Sequence, residues 1–401
     1  MNPQQAIHRY SLAYMINTFG GNLLTSTFVL LLSQTKGFSP GQVSIIIGVT
    51  PLLIIPGTLF WGKLMDKYKR LVLAIKVVLL LNAFSMLVLC LIGDFKLFFI
   101  INLIRGLLLQ PAGGAGDEYM LNLSIKCQTS YGRLRVFGTI GFGIGGIIAP
   151  LCISIGGVLG PILLGAFFLI VAFFLYNPLP EYARETLLEE QSTHPDPSPT
   201  KPFDFSIFKN KQFLFFLFIG SAVFGTLQAA AGYGSQLLLI ELGAPDEIIG
   251  SLSFVMIVFE MFMLSNIHKF KASKKPYLLY TIGLVILCIR WLITAFVTNY
   301  IILLLTITLH GLVVGMILSA QNQLIGILVK PNEQSTAFLV NSTCILTIVP
   351  SILNLVTGDL VERFGYSVFG FTYLGFTLIA LGCLLPKVIR EFRESSPNNC
   401  L

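Results

Sequence analysis

The sequence predicts an all-α membrane protein whose twelve transmembrane helices form two pseudo-symmetric six-helix bundles. Three observations predict it. Only 11% of the 401 residues are charged while 55% are hydrophobic, whereas a soluble domain carries about 25% charged residues. Apolar stretches long enough for a bilayer, which needs about 20 residues, recur along the chain. One long polar segment, residues 181–211, divides those stretches six and six.

The spans are expected at 9–34, 40–62, 71–93, 95–123, 131–155 and 157–178, then at 212–239, 246–267, 276–297, 299–325, 334–357 and 366–386. Several hold a breaker (Pro51, Pro56, Pro111, Pro150, Pro350), which membrane helices tolerate where neighbours re-satisfy the backbone. The leader Met1 to Tyr10 has Arg9 as its only basic residue and runs into the first span without a cleavage pattern, so that span is expected to be retained. The middle segment, with its acidic run Glu185 to Glu190 and prolines 195, 197 and 199, cannot bury a core and reads as a flexible linker. The domain expectation is therefore an N-terminal bundle 1–180, a cytoplasmic linker 181–211, and a C-terminal bundle 212–401 ending in a short cytoplasmic tail.

Charge placement sets the orientation. Lysines and arginines cluster in the linker, the tails and alternate loops, while the opposite loops hold only Lys36, Lys96 and Arg363. The positive-inside rule then puts both termini and the linker in the cytoplasm of a cell-membrane protein. The net charge of +7 comes from those short runs, which argues against a nucleic-acid partner. Seven cysteines stand singly with no CxxC spacing, as small buried hydrophobes do, and support neither a zinc site nor a disulfide framework.

The halves echo each other. Ser39-Pro-Gly-Gln-Val-Ser precedes the second span and Ala244-Pro-Asp-Glu-Ile-Ile the eighth, and each span then enters a basic turn, Lys63 to Arg70 and Lys269 to Lys275. Two parallel six-span repeats with a binding site at their interface make a transporter architecture.

Ionisable residues inside these spans are the functional candidates, because each costs at least a few kcal/mol in hydrocarbon unless it is paired or faces a cavity. In the first half they are Asp117, Glu118 and Arg135, the arginine returning along the fifth span to the depth of the acids. A pair that only locks two helices together is the alternative. In the second half they are Glu260, Arg290 and His310 on consecutive spans. Glu260 opposite Arg290 would be a carboxyl pulled between desolvation and a nearby cation, as proton carriers are. Glycines 113, 114, 116, 138, 141 and 145 have the small-residue spacing of close helix contacts. Asn17, Asn22, Gln228, Tyr233, Gln236, Asn341 and Asn354 either line a cavity or bond helix to helix, and Asp359, Glu362 and Arg363 are expected to be solvated near an outer loop. Gly114-Ala-Gly-Asp117 also spells the GxGD of intramembrane aspartyl proteases, but the preceding span has no second aspartate before Asp94 at its edge.

Two motifs carry a family resemblance. Gly62-Lys-Leu-Met-Asp66, followed by Lys69 and Arg70, resembles the loop signature of the major facilitator superfamily. The resemblance implies the major facilitator fold and a conformational gating role for Gly62, Asp66 and Arg70. Tyr131-Gly-Arg-Leu-Arg-Val-Phe-Gly138 is similar to the fifth helix of the lactose permease-like branch, which moves oligosaccharides or nucleosides with protons. It implies that Arg135 and Asp117 grip solute hydroxyls and that Phe142 stacks on the solute where the permease has a tryptophan. It also implies that Glu260 binds solute, and that Glu260, Arg290, His310 and Glu118 serve proton coupling. Val313 stands where the permease carries its main proton-carrying glutamate, so that pathway does not transfer intact.

The functional expectation is a non-enzymatic secondary active transporter, a proton symporter of a hydroxyl-rich solute, acting as a monomer in the lipid bilayer. It needs no cofactor beyond the proton gradient and no metal. An exporter of amphiphilic compounds and an intramembrane aspartyl protease are the alternatives.

Overall fold

The computed structural model describes residues 3–58, 60–61, 71–108, 116, 119–120, 123–124, 127, 131–176, 208–270, 275–330, 337, 340–341 and 343–394. Among the described residues no strand forms, and each expected span contains a helix. In the first half these are α1 (Pro3–Ser26, prolonged by Phe28–Leu30 and a wide π turn at Leu31–Thr35), α2 (Pro40–Leu52), α3 (Leu71–Leu91), α4 (Phe95–Leu108), α5 (Tyr131–Gly156) and α6 (Leu159–Leu175). In the second half they are α7 (Lys211–Glu241, with a π turn at Ala230–Gly234), α8 (Leu252–Asn266, preceded by the short helix Asp246–Gly250), α9 (Pro276–Phe296), α10 (Tyr300–Leu328), α11 (Val349–Phe364, entered through a π turn at Cys344–Ile348) and α12 (Val368–Glu394). Nine helical stretches among the described residues are long and apolar enough to cross a bilayer. Their outer faces carry Phe84, Phe218, Phe296 and Leu305, each more than 60% exposed. Water would penalise such a surface; acyl chains do not.

The chain forms two compact units. The first comprises Met1–Phe38, Val49–Phe203 and Asp246–Phe254. Here α1 packs against α5 and α6, and α3 against α4 and α6. The α1–α5 contact is close because residue 141 is glycine: a Cβ there would collide with the Met15 carbonyl and the Thr18 hydroxyl. That is the packing role expected of Gly141. The short helix Asp246–Gly250 lies against α5, and Asp246 Oδ1 accepts from Gln34 Nε2 at 2.8 Å.

The second unit comprises Ser39–Gly48, Asp204–Pro245 and Val255–Leu401. In it α9 packs between α10 and α12, and α7 against α10, α11 and α12. Several helix starts are capped in ways the local sequence explains. Asn210 Oδ1 accepts from the amides of Gln212 and Phe213 at 3.1 Å each, and Asn299 Oδ1 from Ile301 at 2.8 Å. The echoed Ser39-Pro-Gly-Gln42 proves to be a capping box with proline at the first helical position. Ser39 Oγ accepts from the Gln42 amide at 3.3 Å, and Gln42 Oε1 accepts from the Ser39 amide at 3.0 Å. Glu362 completes this start: its Oε1 accepts from Ser39 Oγ at 2.5 Å and from the Gly41 amide at 2.8 Å.

Two expectations are corrected here. The span set at 334–357 continues as α11 to Phe364, because Asp359 and Arg363 lie one turn apart and pair at 3.0 Å, and Gly365, at φ 83°, provides the stop. Glu362 is exposed, as expected near an outer loop, and is also bonded to the start of α2. The span 246–267 is not one helix; it breaks at Ser251, whose hydroxyl turns back onto the Ile248 carbonyl at 2.7 Å.

Candidate transport site

The second unit holds a charged cluster closed off from solvent. Arg290 on α9 is 0% exposed and His310 on α10 is 4% exposed. Arg290 Nη1 lies 3.0 Å from His310 Nδ1. A guanidinium has only donors, so Nδ1 is the acceptor and His310 is the neutral tautomer with its proton on Nε2. Arg290 Nη2 donates to Ser235 Oγ at 3.4 Å, a long bond made by the first residue after the π turn of α7. The guanidinium carbon lies 4.2 Å from the centre of the Trp291 ring, in range for a cation–π contact. Trp291 in turn packs on Tyr373 of α12, with centroids 5.0 Å apart. The Arg290 Nε–H has no partner among the described residues.

Glu260 lies half-buried on α8. The helix comes so close to α10 because residue 311, next to His310, is glycine: a Cβ at Gly311 would meet the Met256 carbonyl and lie 3.0 Å from the Glu260 nitrogen. The structure therefore sets Glu260 on the helix crossing beside His310, yet Glu260 forms no ion pair with Arg290 within 4 Å. Arg290 takes neutral partners instead. Val313, one turn beyond His310, is fully buried.

In the first unit, sequence reasoning missed Arg105 on α4. It is 6% exposed and is held by neutral acceptors. Its Nε donates to Asn82 Oδ1 of α3 at 3.1 Å and its Nη1 to Asn102 Oδ1 at 3.4 Å. Asn102 is oriented in turn by its own bond, Nδ2 to Thr50 Oγ1 of α2 at 2.7 Å. The Phe28 ring lies 5.9 Å from the guanidinium. The signal was present, an arginine inside the apolar run Phe98 to Leu109, and the criterion that picks out Arg135 picks it out too.

Phe142 sits on α5, 37% exposed, and its carbonyl accepts from Asn22 Nδ2 of α1. Arg135 belongs to α5, but its side chain lies outside the described residues, as do Asp117, Glu118 and the gating-loop positions Gly62, Asp66 and Arg70. Among the described residues no group of histidine, cysteine or carboxylate side chains could hold a metal ion.

Span-length apolar helices with buried ionisable side chains define a polytopic membrane protein of the transporter class. The sequence matches the Major Facilitator Superfamily over residues 10–346, and the chain belongs to that superfamily, which is a family of transporters and not of enzymes. It is 23% identical over 330 residues to the uncharacterized transporter YwbF of Bacillus subtilis (strain 168), covering 81% of this chain and 79% of YwbF. Among solved structures it is similar to the nucleoside transporter NupG, with a TM-score of 0.78 at 15% identity, covering 98% of this chain and all of NupG. It is also similar to a D-xylose-proton symporter, with a TM-score of 0.65 at 11% identity over 94% of this chain and 96% of the other. At such identities the likeness shows the fold. The protein thus has the all-α major facilitator fold, with the lipid bilayer and a small-molecule solute as its partners.

Proposed function

We propose that this transporter is a proton symporter of a polar, hydroxyl-rich solute such as an oligosaccharide or nucleoside, working by alternating access. The observation that carries the reading is the Arg290–His310 pair, a sealed hydrogen bond on neighbouring spans with Glu260 on the next helix over. Polar groups inside a membrane are expensive and mark solute and proton paths. In this reading Asp117 and Arg135 hold solute hydroxyls, Phe142 stacks on the solute, and Glu260 both binds solute and carries the proton. Arg290, His310 and Glu118 tune that carboxyl, and Gly62, Asp66 and Arg70 gate the inner face. The nucleoside specificity of NupG and the proton coupling of the xylose symporter agree with it as functions known on the same fold. The protein would act as a monomer in the cell membrane, with both termini cytoplasmic and the proton gradient in place of a cofactor.

The test is uptake by proteoliposomes under an imposed proton gradient, across a panel of sugars and nucleosides. Wild-type protein should concentrate a panel member and alkalinise the medium as that solute enters. Glu260→Gln should abolish concentration while leaving exchange, and Arg135→Ala should abolish both. Uptake unchanged in both variants overturns the site assignment. Uptake without alkalinisation overturns the coupling.

A further inference from the structure

Arg105 and Arg290 share an unusual electrostatic condition. Each is at least nine-tenths buried inside an apolar helix bundle. Neither is paired with a carboxylate among the described residues; the acceptors are amide oxygens for one and an imidazole nitrogen and a hydroxyl for the other. Such acceptors orient a guanidinium without cancelling its charge. A buried charge left uncompensated is strongly destabilising. A purely structural arginine would be far cheaper with a carboxylate beside it. Among the described residues, each unit thus holds one fixed cation with neutral acceptors only.

The surroundings of Arg105 fix two of its nitrogens and leave the third. Asn82 and Asn102 both turn their oxygens toward it, and Asn102 is held in that orientation by Thr50. Helix α4 comes close enough for this only because residue 106 is glycine, where a Cβ would stand 3.0 Å from the Thr50 carbonyl. With Nε and Nη1 engaged, the Nη2 edge is left without a partner among the described residues. It is a preorganised donor edge carrying a full positive charge, which matches an oxyanion in geometry and sign.

We propose that the transported solute carries an oxyanion, a carboxylate or phosphate monoester, and that Arg105 in its Asn82–Asn102 cradle is a binding point for it. This rests on the symporter reading and narrows its solute class from neutral hydroxylated compounds to their acidic congeners.

The experiment compares matched pairs in proteoliposome uptake and competition: uridine against uridine 5′-monophosphate, and glucose against glucuronate. Wild-type protein should favour at least one anion over its neutral congener by tenfold or more. Glucuronate and the nucleotide distinguish a carboxylate from a phosphate. Arg105→Gln, which keeps hydrogen bonding and removes the charge, should reduce that preference at least fivefold, and Arg105→Lys should retain most of it. Equal or better uptake of the neutral members overturns the proposal; if that uptake still fails in Glu260→Gln, the symporter reading survives. An Arg105→Gln variant that slows charged and neutral solutes alike assigns Arg105 a structural role and also overturns it. Uptake of no member, charged or neutral, removes both readings.

Discussion

Nδ1 of His310 accepts a hydrogen bond from Nη1 of Arg290 at 3.0 Å, with both side chains closed off from solvent. Two spanning helices are tied by one donor that is always charged and one acceptor that exists only while the imidazole is neutral. Removing the ring leaves a charged donor buried without a partner, which costs about 1–3 kcal/mol. His310→Ala should therefore lower the melting temperature of the detergent-solubilised protein by several degrees, while His310→Gln, which restores an acceptor, should regain part of the loss.

Gly311 gives a second test. With the Met256 carbonyl in the path of any Cβ, Gly311→Ala forces α8 and α10 apart, and such overpacking costs about 1–3 kcal/mol. Gly382 lies on α12 with nothing within 4 Å of a Cβ among the described residues. There alanine meets no described neighbour, so Gly382→Ala should be neutral or stabilising by up to about 1 kcal/mol. Thermal unfolding of the two variants side by side checks the pair; equal losses would mean that the helix crossing is not where the structure places it.

At the start of α2, Glu362 should matter more than its exposure suggests. Its carboxylate takes both the Ser39 hydroxyl and the Gly41 amide. Loss of a helix-capping acceptor costs about 1 kcal/mol. Glu362→Ala should destabilise by that amount, and a thiol placed at Ser39 should react faster with a water-soluble maleimide in the Glu362→Ala background.

The neighbouring pair Asp359–Arg363 is the contrast. Its side chains are 58% and 66% exposed at 3.0 Å separation, and they are one turn apart on the same helix. Exposed pairs of this kind contribute about 0.3–0.5 kcal/mol. Asp359→Asn should shift the melting temperature by less than Glu362→Ala does.

The helices are legible in the sequence because hydropathy and length are local properties. Arg290 and His310 are legible for a related reason: a titratable residue in an apolar run announces itself. Arg105 meets the same criterion but falls outside the two recognisable motifs, so a motif-led reading does not reach it. Rotation about helix axes is what the sequence could not supply. The order of Glu260, Arg290 and His310 along successive spans suggests a glutamate facing an arginine, yet the described contacts give the arginine to the histidine. The bonds of Glu362 are equally hidden, since the partners Ser39 and Glu362 lie 323 residues apart and no local pattern encodes such a meeting.

The wide turn at Ala230–Gly234 has a consequence for how this protein can vary. A turn of that kind holds one residue more than an α-helical turn, and every residue added to a helix rotates its remaining length by about 100°. Ser235, the next residue, reaches Arg290 from the far side of that extra residue. Deleting a single position between 230 and 234 would leave a continuous, still apolar helix while swinging Ser235 away from the guanidinium. Natural relatives of this chain should therefore tolerate exchange of side chains along the turn far better than any change in its number of residues.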